Sequence, residues 1–442
     1  MRHEQGQTSG SNRSALGTSL GDVDVRLLIV SDHYPPFIGG AHRQTHLLAR
    51  HMVSRGHEVT VVTSWHRGLP MREKIEGVDV RRVRELRTVS PRLVRNAKQR
   101  QHPPYADPVT VRSLRRILRE TRPQLVHVHG LLAFSVGAAL VGEQIPLLLS
   151  ARSYGTFCAT RTMIHEGLPC TGPSPRKCLR CAGERDGAVK AALTVTGLAA
   201  SRPLLVRKIT GLHSVSTYVH DMMVEHLLGG PDSPAARNIV DETIPSFLAS
   251  EAVPSAVGVE RYVEQLPHEP FILFVGAMSR LKGLGILLEA YRRLVAAPPL
   301  VLIGTRRPDA LEFPPGAVVL TDVPNAAVLA AWDHAMFGVM PSLWPEPLGM
   351  VVAEGMSRGR PVIGTQTGGH VDMLDAESGI LVPQGDVDAL ARAMQDLIDD
   401  PERREAMGRA ARERARMFTA ESVVPRFEQL YDNIARENAA AS

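Results

Sequence analysis

The chain has 442 residues, of which 44% are hydrophobic and 22% charged, with a formal net charge of +5. That length accommodates two domains with separate cores, and the balance is that of a globular protein. No run of about 18 apolar residues predicts a membrane-crossing helix, and with aromatics at 5% and no visible binding module, nucleic acid is not an expected partner.

Residues 1–22 are rich in Gly, Ser, Thr, Asn and Gln and lack an apolar segment. They read as a disordered tail rather than a signal peptide, so the chain is expected to stay in the cytoplasm. Val25 to Val30 (VRLLIV) is an apolar run suited to a buried parallel strand, followed by a loop ending in Gly39-Gly40. Helical spacing of Leu47, Leu48, Met52 and Val53 runs to Gly56, and Glu58 to Thr63 (EVTVVT) returns as a strand. This β-loop-α-β unit lets the glycine pair bring backbone close to a ligand at a helix start.

Between Arg81 and Arg122 stand thirteen Arg or Lys against three acids, including Arg95, Lys98, Arg100 and Arg115-Arg116. Such a positive surface attracts anionic lipid headgroups or polyanionic substrates; the alternative is a solvated face, because the bases are not regularly interleaved with bulky apolar residues. Peripheral contact with the inner face of a membrane is therefore kept as an expectation. Leu125 to Gly130 (LVHVHG) is a strand whose alternate His127 and His129 point to one side. Pro146 to Ser150 (PLLLS) is the next strand.

All four cysteines follow within 24 residues, Cys158, Cys170, Cys178 and Cys181, spaced C-x11-C-x7-C-x2-C. The closing two-residue spacing resembles a zinc knuckle, and a cytoplasmic chain does not normally hold disulfides. A structural tetrathiolate zinc that staples a loop over 155–185 is expected; four free thiols or an opportunistic disulfide is the alternative. Leu212 to Ser216 and Ile244 to Phe247 complete a first α/β half, and the Ala-, Pro-, Ser- and Glu-rich stretch 249–270 reads as a linker.

The second half opens with Phe271 to Val275 (FILFV), Gly276 and a loop carrying Arg280 and Lys282 before a helix from Leu284 to Val295. Two fixed cations directly after a strand would stabilise a departing diphosphate. Strands at Leu300 to Ile303 and Val318 to Leu320 lead to Trp344–Gly369, WPEPLGMVVAEGMSRGRPVIGTQTGG. Here Glu346 sits between two prolines at the mouth of a helix, Glu354 lies inside that helix, and Leu348, Gly349 and Met350 supply helix-mouth amides suited to an anionic or hydroxyl-rich ligand. As a charged loop residue, Glu346 is expected to contribute little to stability. Asp386 to Asp399, Glu402 to Met417 and Ala420 to Arg436 read as helices, the last with Val423, Val424, Phe427, Leu430, Tyr431 and Ile434 on one side. The triplets Asp22-Val-Asp24 and Asp386-Val-Asp388 lie in the tail and at a helix start, so neither points to a catalytic metal.

The Trp344–Gly369 stretch resembles the E-x7-E signature of the retaining GT-B glycosyltransferases (glycosyltransferase family 4-like, "glycosyl transferases group 1"). The likeness continues through Gly379-Ile380-Leu381-Val382-Pro383 and resumes at the start of the chain, so it covers nearly everything after Val25. It implies an α/β fold of two Rossmann-like, doubly wound domains facing across a cleft. The acceptor domain would span 23–248, the nucleotide-sugar domain 271–419, and 420–442 would be a helix crossing back to the first domain. By the same resemblance Gly39 and Gly40 face the donor diphosphate, His129 orients the donor sugar, Glu346 contacts that sugar and Glu354 the ribose. Lys282 matches the family's phosphate-binding lysine. Relatives usually carry arginine directly after the glycine, where this chain has Ala277, so Arg280 is a displaced substitute. Many relatives carry a His-Asp pair where Arg152-Ser153 stand, which leaves this turn without an inherited role. The implied reaction moves a sugar from a nucleotide donor to a glycan, lipid-linked or small-molecule acceptor, with no cofactor for catalysis. A nucleotide-sugar epimerase of the same architecture and a non-catalytic binding module are the alternatives.

Overall fold

Parallel strands buried on both faces need continuous apolar runs, and these runs organise the chain into two sheets in the computed structural model, which describes residues 25–37, 40–89, 102–249, 259–307, 309 and 311–441. The tail, Asp22 and Asp24, Gly39, the basic residues Arg95, Lys98 and Arg100, and 250–258 of the expected linker lie outside the described residues.

The first sheet uses β1 (Arg26–Ser31), β2 (Glu58–Ser64), β3 (Arg72–Ile75), β4 (Val78–Val83), β5 (Leu125–His129) and β6 (Leu147–Ala151). After a two-stranded hairpin of β7 (Ile164–His165) and β8 (Leu168–Pro169), it is completed by β9 (Ile209–Ser214) and β10 (Val240–Thr243). Its order is β10-β9-β6-β5-β1-β2-β4-β3, parallel except for the β3–β4 pair. The chain moves outward from β1 in one direction and then from β5 in the other, so the order reverses between β1 and β5. Ser31 and His129 are register partners at that point.

The second sheet contains β11 (Phe271–Val275), β12 (Leu300–Ile303), β13 (Val318–Leu320), β14 (Ala335–Met340), β15 (Val362–Thr365) and β16 (Gly379–Val382), ordered β13-β12-β11-β14-β15-β16 and wholly parallel. Its reversal lies between β11 and β14. Ligands of open α/β sheets bind beyond the carboxyl ends of the strands at such reversals. The loop after β11 carries Lys282 and the loop after β14 carries Glu346.

Helix Ala420–Ala441 buries Val423, Val424, Phe427, Leu430, Tyr431 and Ile434 in the core that also holds Leu27, Ile29, Leu48, Met52 and Phe247 of the first sheet and its layer. Each large apolar side chain enclosed in this way contributes roughly 1.5–3 kcal/mol. Asp386 caps helix Val387–Asp399, its carboxylate accepting from Ala389 N at 2.8 Å.

The basic run contains helix Pro108–Thr121, capped by Asp107, with Thr110, Leu114, Ile117 and Leu118 buried and Arg112, Arg115, Arg116 and Arg119 exposed. The apolar stripe is there, at helical spacing. Part of the positive charge is neutralised, since Arg81 pairs with Asp79 and Glu120, and Arg82 with Glu73. Helix Ala188–Lys208 also departs from expectation: by length and composition it is apolar enough to cross a bilayer, and only 17% of its most apolar window is buried. It packs against helices Pro175–Asp186 and Ala133–Ala139 and contains Pro203.

Candidate active site

The loops after β11 and β14 are built as one piece. Leu343 N and Trp344 N both donate to Leu281 O, at 3.0 and 3.1 Å. Gly283 adopts φ +71, and a Cβ there would fall on the carbonyl oxygen of Pro341. Only glycine permits that approach. The result brings Lys282 to Glu346: the ammonium bonds Glu346 Oε1, which also accepts from Ser342 Oγ at 2.9 Å, and lies 5.0 Å above the Trp344 ring.

Glu346 is only 7% exposed, contrary to the expectation of a loop charge with little bearing on stability. A carboxylate enclosed with its lysine is a part of the packing, and removing one partner leaves the other charge uncompensated.

Behind the loop stand Gly368 and Gly369. Gly369 N donates to Glu346 O at 2.7 Å. Gly368 has φ +60, and a Cβ on it would overlap the Glu346 carbonyl oxygen and come 2.6 Å from the Glu346 nitrogen. Next to this pair, the ring of His370 is fully enclosed against Gly349, and burial keeps it from taking a proton despite the nearby Glu346. Gly349, at φ +93, opens helix Met350–Ser357. The amides at its mouth lie beside Glu346 with the positive end of the helix toward the loop.

Inside that helix Glu354 accepts from Asn325 Nδ2 at 3.0 Å, and Asn325 Oδ1 accepts from Arg43 at 2.9 Å. Arg43 belongs to helix Gly40–Ser54, packed on the first sheet, so the contact joins the two lobes. Burial raises the Glu354 carboxyl above its ordinary range, and Asn325 and Arg43 offset part of that rise. A second tie is the Tyr154 hydroxyl, which donates to Pro345 O at 2.7 Å, one residue before Glu346.

On the first sheet the two histidines of β5 have different roles. His127 is hydrogen-bonded through Nδ1 to the Tyr431 hydroxyl at 2.9 Å and is held neutral by burial and by Arg152. His129, at the strand end, is 4% exposed with its ring 4.2 Å from that of His127. The turn after it is fixed by Asp32, whose carboxylate accepts from Leu131 N and Leu132 N at 2.9 and 2.8 Å.

The structure therefore gathers Lys282, Glu346, Leu348, Gly349, Met350 and Glu354 on the second sheet, with His129 on the end of the first. Gly40 opens helix Gly40–Ser54. Arg280 is not gathered with them. Its backbone N–H goes to Asp309 at 3.0 Å, its side chain is exposed, and the guanidinium reaches Gly167 in the β7–β8 hairpin. Sequence reasoning missed Ser342, Asn325, Arg43 and the packing role of His370. Only His370 carried a signal, since it directly follows the glycine pair.

The cysteine spacing brings four thiols into one lobe without forming a metal cage. Among the described residues no three His, Cys, Asp or Glu side chains converge to hold an ion. All four are free, with Cys158 Sγ at Thr160 Oγ1, Cys170 Sγ at Gly172 O and Cys181 Sγ at Ile164 O. Burial pushes the Cys178 and Cys181 thiols up, with Cys158 and Cys170 adding to the rise in both.

A family model described as "Glycosyl transferases group 1" matches residues 269–400, and one described as "Glycosyltransferase Family 4" matches residues 38–167. The D-inositol 3-phosphate glycosyltransferase of Corynebacterium kroppenstedtii is 31% identical over 189 residues, 38% of this chain and 42% of that protein. The chain thus spans less than half the length of such curated relatives. The N-acetyl-alpha-D-glucosaminyl L-malate synthase of Bacillus anthracis is 22% identical over 91% of this chain and 96% of its own. Among solved structures, sucrose-phosphate synthase from Thermosynechococcus elongatus superposes with a TM-score of 0.67 at 21% identity, covering 94% of this chain and 99% of that one. HepE from Anabaena, solved with UDP-glucose, gives 0.62 at 15% identity, with coverage of 94% and 99%. These likenesses show the GT-B fold.

Proposed function

Because the chain belongs to the glycosyl transferases group 1, with a glycosyltransferase family 4 first half and the GT-B fold, we propose that it transfers a sugar from a nucleotide donor to a hydroxyl-bearing acceptor with retention of anomeric configuration. The observation that carries this reading is the cluster of Lys282, Glu346 and Ser342 at the reversal of the second sheet, beside the mouth of helix Met350–Ser357. In the bound state the diphosphate lies between the Lys282 ammonium and the amides at Leu348 to Met350. Charge that develops on the leaving group then meets fixed positive charge. Glu346, released from Lys282 by the competing phosphate, accepts from the donor sugar, and Glu354 accepts from the ribose hydroxyls. His129 orients the sugar from the other lobe, with Gly39 and Gly40 giving the diphosphate close backbone approach. Leaving-group departure and acceptor attack occur on one face of the sugar, and no step requires a divalent ion.

In this reading the chain works in the cytoplasm, and the arginine face of helix Pro108–Thr121 is the part that meets an anionic membrane surface. The testing experiment is a thermal-shift panel of nucleotide-sugars, then incubation of the stabilising donor with and without candidate acceptors. Ligand that binds only the folded chain raises its melting temperature. Transferred sugar and free nucleoside diphosphate are expected. Epimerised donor, or intact bound donor with every acceptor, would overturn the proposal.

A further inference from the structure

Arg152 directly follows the last residue of β6, at the carboxyl edge of the first sheet. One of its nitrogens is satisfied, Nη1 donating to Ser246 Oγ at 2.7 Å. Nε and Nη2 are buried and, among the described residues, have no partner. Those two nitrogens share the edge of the guanidinium that takes an oxyanion two-pronged. At two other arginines of the described residues that edge is filled by a carboxylate. Arg72 donates through Nε and Nη2 to the two oxygens of Asp79 at 2.9 and 3.0 Å, and Arg358 grips Asp333 in the same way.

Among the described residues no carboxylate acts on Arg152. The titratable groups around it are His127 and His213, both held neutral by burial, and the Tyr431 hydroxyl, pushed far up by burial. Burial lowers the guanidinium only to about 10, so it remains a cation at neutral pH. An enclosed, unpaired charge is costly to a fold, and its natural complement is a charge delivered from outside. Ser31 Oγ, His127 Nε2 and Ser214 Oγ, on β1, β5 and β9, are likewise buried without partners. Register puts Ser31 opposite His129 at the carboxyl edge of the sheet, with His127 two residues earlier on the same face, whereas Ser214, opposite Ala151, belongs to the next row and the other face. Tyr154, two residues beyond Arg152, bonds the carbonyl beside Glu346, which sets this edge against the donor loops.

We propose that Arg152 determines acceptor specificity by binding an oxyanion, phosphate or carboxylate, carried by the acceptor itself. The donor diphosphate has its own cation and helix mouth on the second sheet; Arg152 stands across from them on the first. The inference rests on the transferase reading and narrows the acceptor to an alcohol that bears an anion.

The test needs no known acceptor. The full chain is melted against rising inorganic phosphate and, separately, acetate, with ionic strength held by chloride, as wild type, Arg152→Met, Arg152→Lys and Lys282→Gln. A saturable rise in melting temperature is expected for wild type, and the stronger anion identifies the group. Lys282→Gln retains the response, Arg152→Lys responds about tenfold more weakly because an ammonium offers no two-pronged edge, and Arg152→Met loses it. Without added anion Arg152→Met melts no lower than wild type, since an unpaired enclosed charge has gone. Indifference of wild type to both anions, persistence of the response in Arg152→Met, its loss in Lys282→Gln, or failure of both Arg152 variants to fold would each overturn the proposal. Because binding is read without donor or turnover, anion binding without transfer sinks only the transferase reading, and transfer without anion binding sinks only this one.

Discussion

Replacing Gly368 by alanine tests whether the Glu346 loop is seated as described. At φ +60 an alanine carries a backbone cost of about 1–2 kcal/mol. Its Cβ would also overlap the Glu346 carbonyl oxygen and crowd the Glu346 nitrogen and the Pro345 carbonyl carbon at 2.6 and 2.8 Å. Backbone cannot swing aside as a side chain does, so overpacking adds roughly 1–3 kcal/mol. The sum is roughly 2–5 kcal/mol, and at about 2–4 °C per kcal/mol for a lobe of this size the melting temperature falls by roughly 4–20 °C. Restoring an ordinary contact moves the Glu346 backbone by about 1 Å, and a misplacement of that size costs about 10²-fold in rate. Gly68→Ala is the control, since Gly68 has φ +90 with nothing within 4 Å of a Cβ, so it carries the backbone cost alone and leaves turnover unchanged. Both variants are followed by thermal melting and by release of nucleoside diphosphate. If Gly368→Ala melts with the Gly68 control and turns over at the wild-type rate, the glycine pair does not support the loop and the site description fails.

Glu346→Gln is expected to lower transfer by about 10³-fold or more, and Glu346→Ala to cost in addition about 2–3 kcal/mol by leaving the Lys282 ammonium unpaired; kinetics and denaturant melts on both variants check this. Glu354 has a carboxyl raised by burial, so the wild type loses stability as pH climbs from the ordinary carboxylate value, about 4.3, through the raised one. Glu354→Gln should therefore be more stable than wild type near pH 7 and equal to it near pH 4; a constant offset across that range would contradict the assignment. Asp32→Ala removes the acceptor of two backbone N–H groups and should cost about 2–4 kcal/mol while Asp32→Asn recovers part of it, as read by chemical denaturation.

The parallel strands were legible because burial on both faces writes uninterrupted apolar runs such as FILFV and LVHVH. Lys282 and Glu346 were legible for a related reason, since each follows such a run by a few residues. Helix Pro108–Thr121 was not, because its four exposed arginines match in number the four residues of its buried stripe and hide their spacing. Ser342, Asn325 and Arg43 were hidden differently: the partner that gives Asn325 meaning on the first lobe is 282 positions away, and no local pattern encodes such a distance. The burial of Glu346 depends likewise on a lysine 64 positions earlier, so a loop acid bounded by prolines could not disclose it. Arg152 was visible as a departure from the resembled pattern, but only the unfilled edge of its guanidinium turns that departure into a positive reading.

Arg43 holds Asn325, and Asn325 holds Glu354, so the two lobes are latched through the carboxylate that a donor's ribose would claim. On the proposed function a ribose hydroxyl would compete with the asparagine amide for that carboxylate, at one end of a strut running to the opposite half.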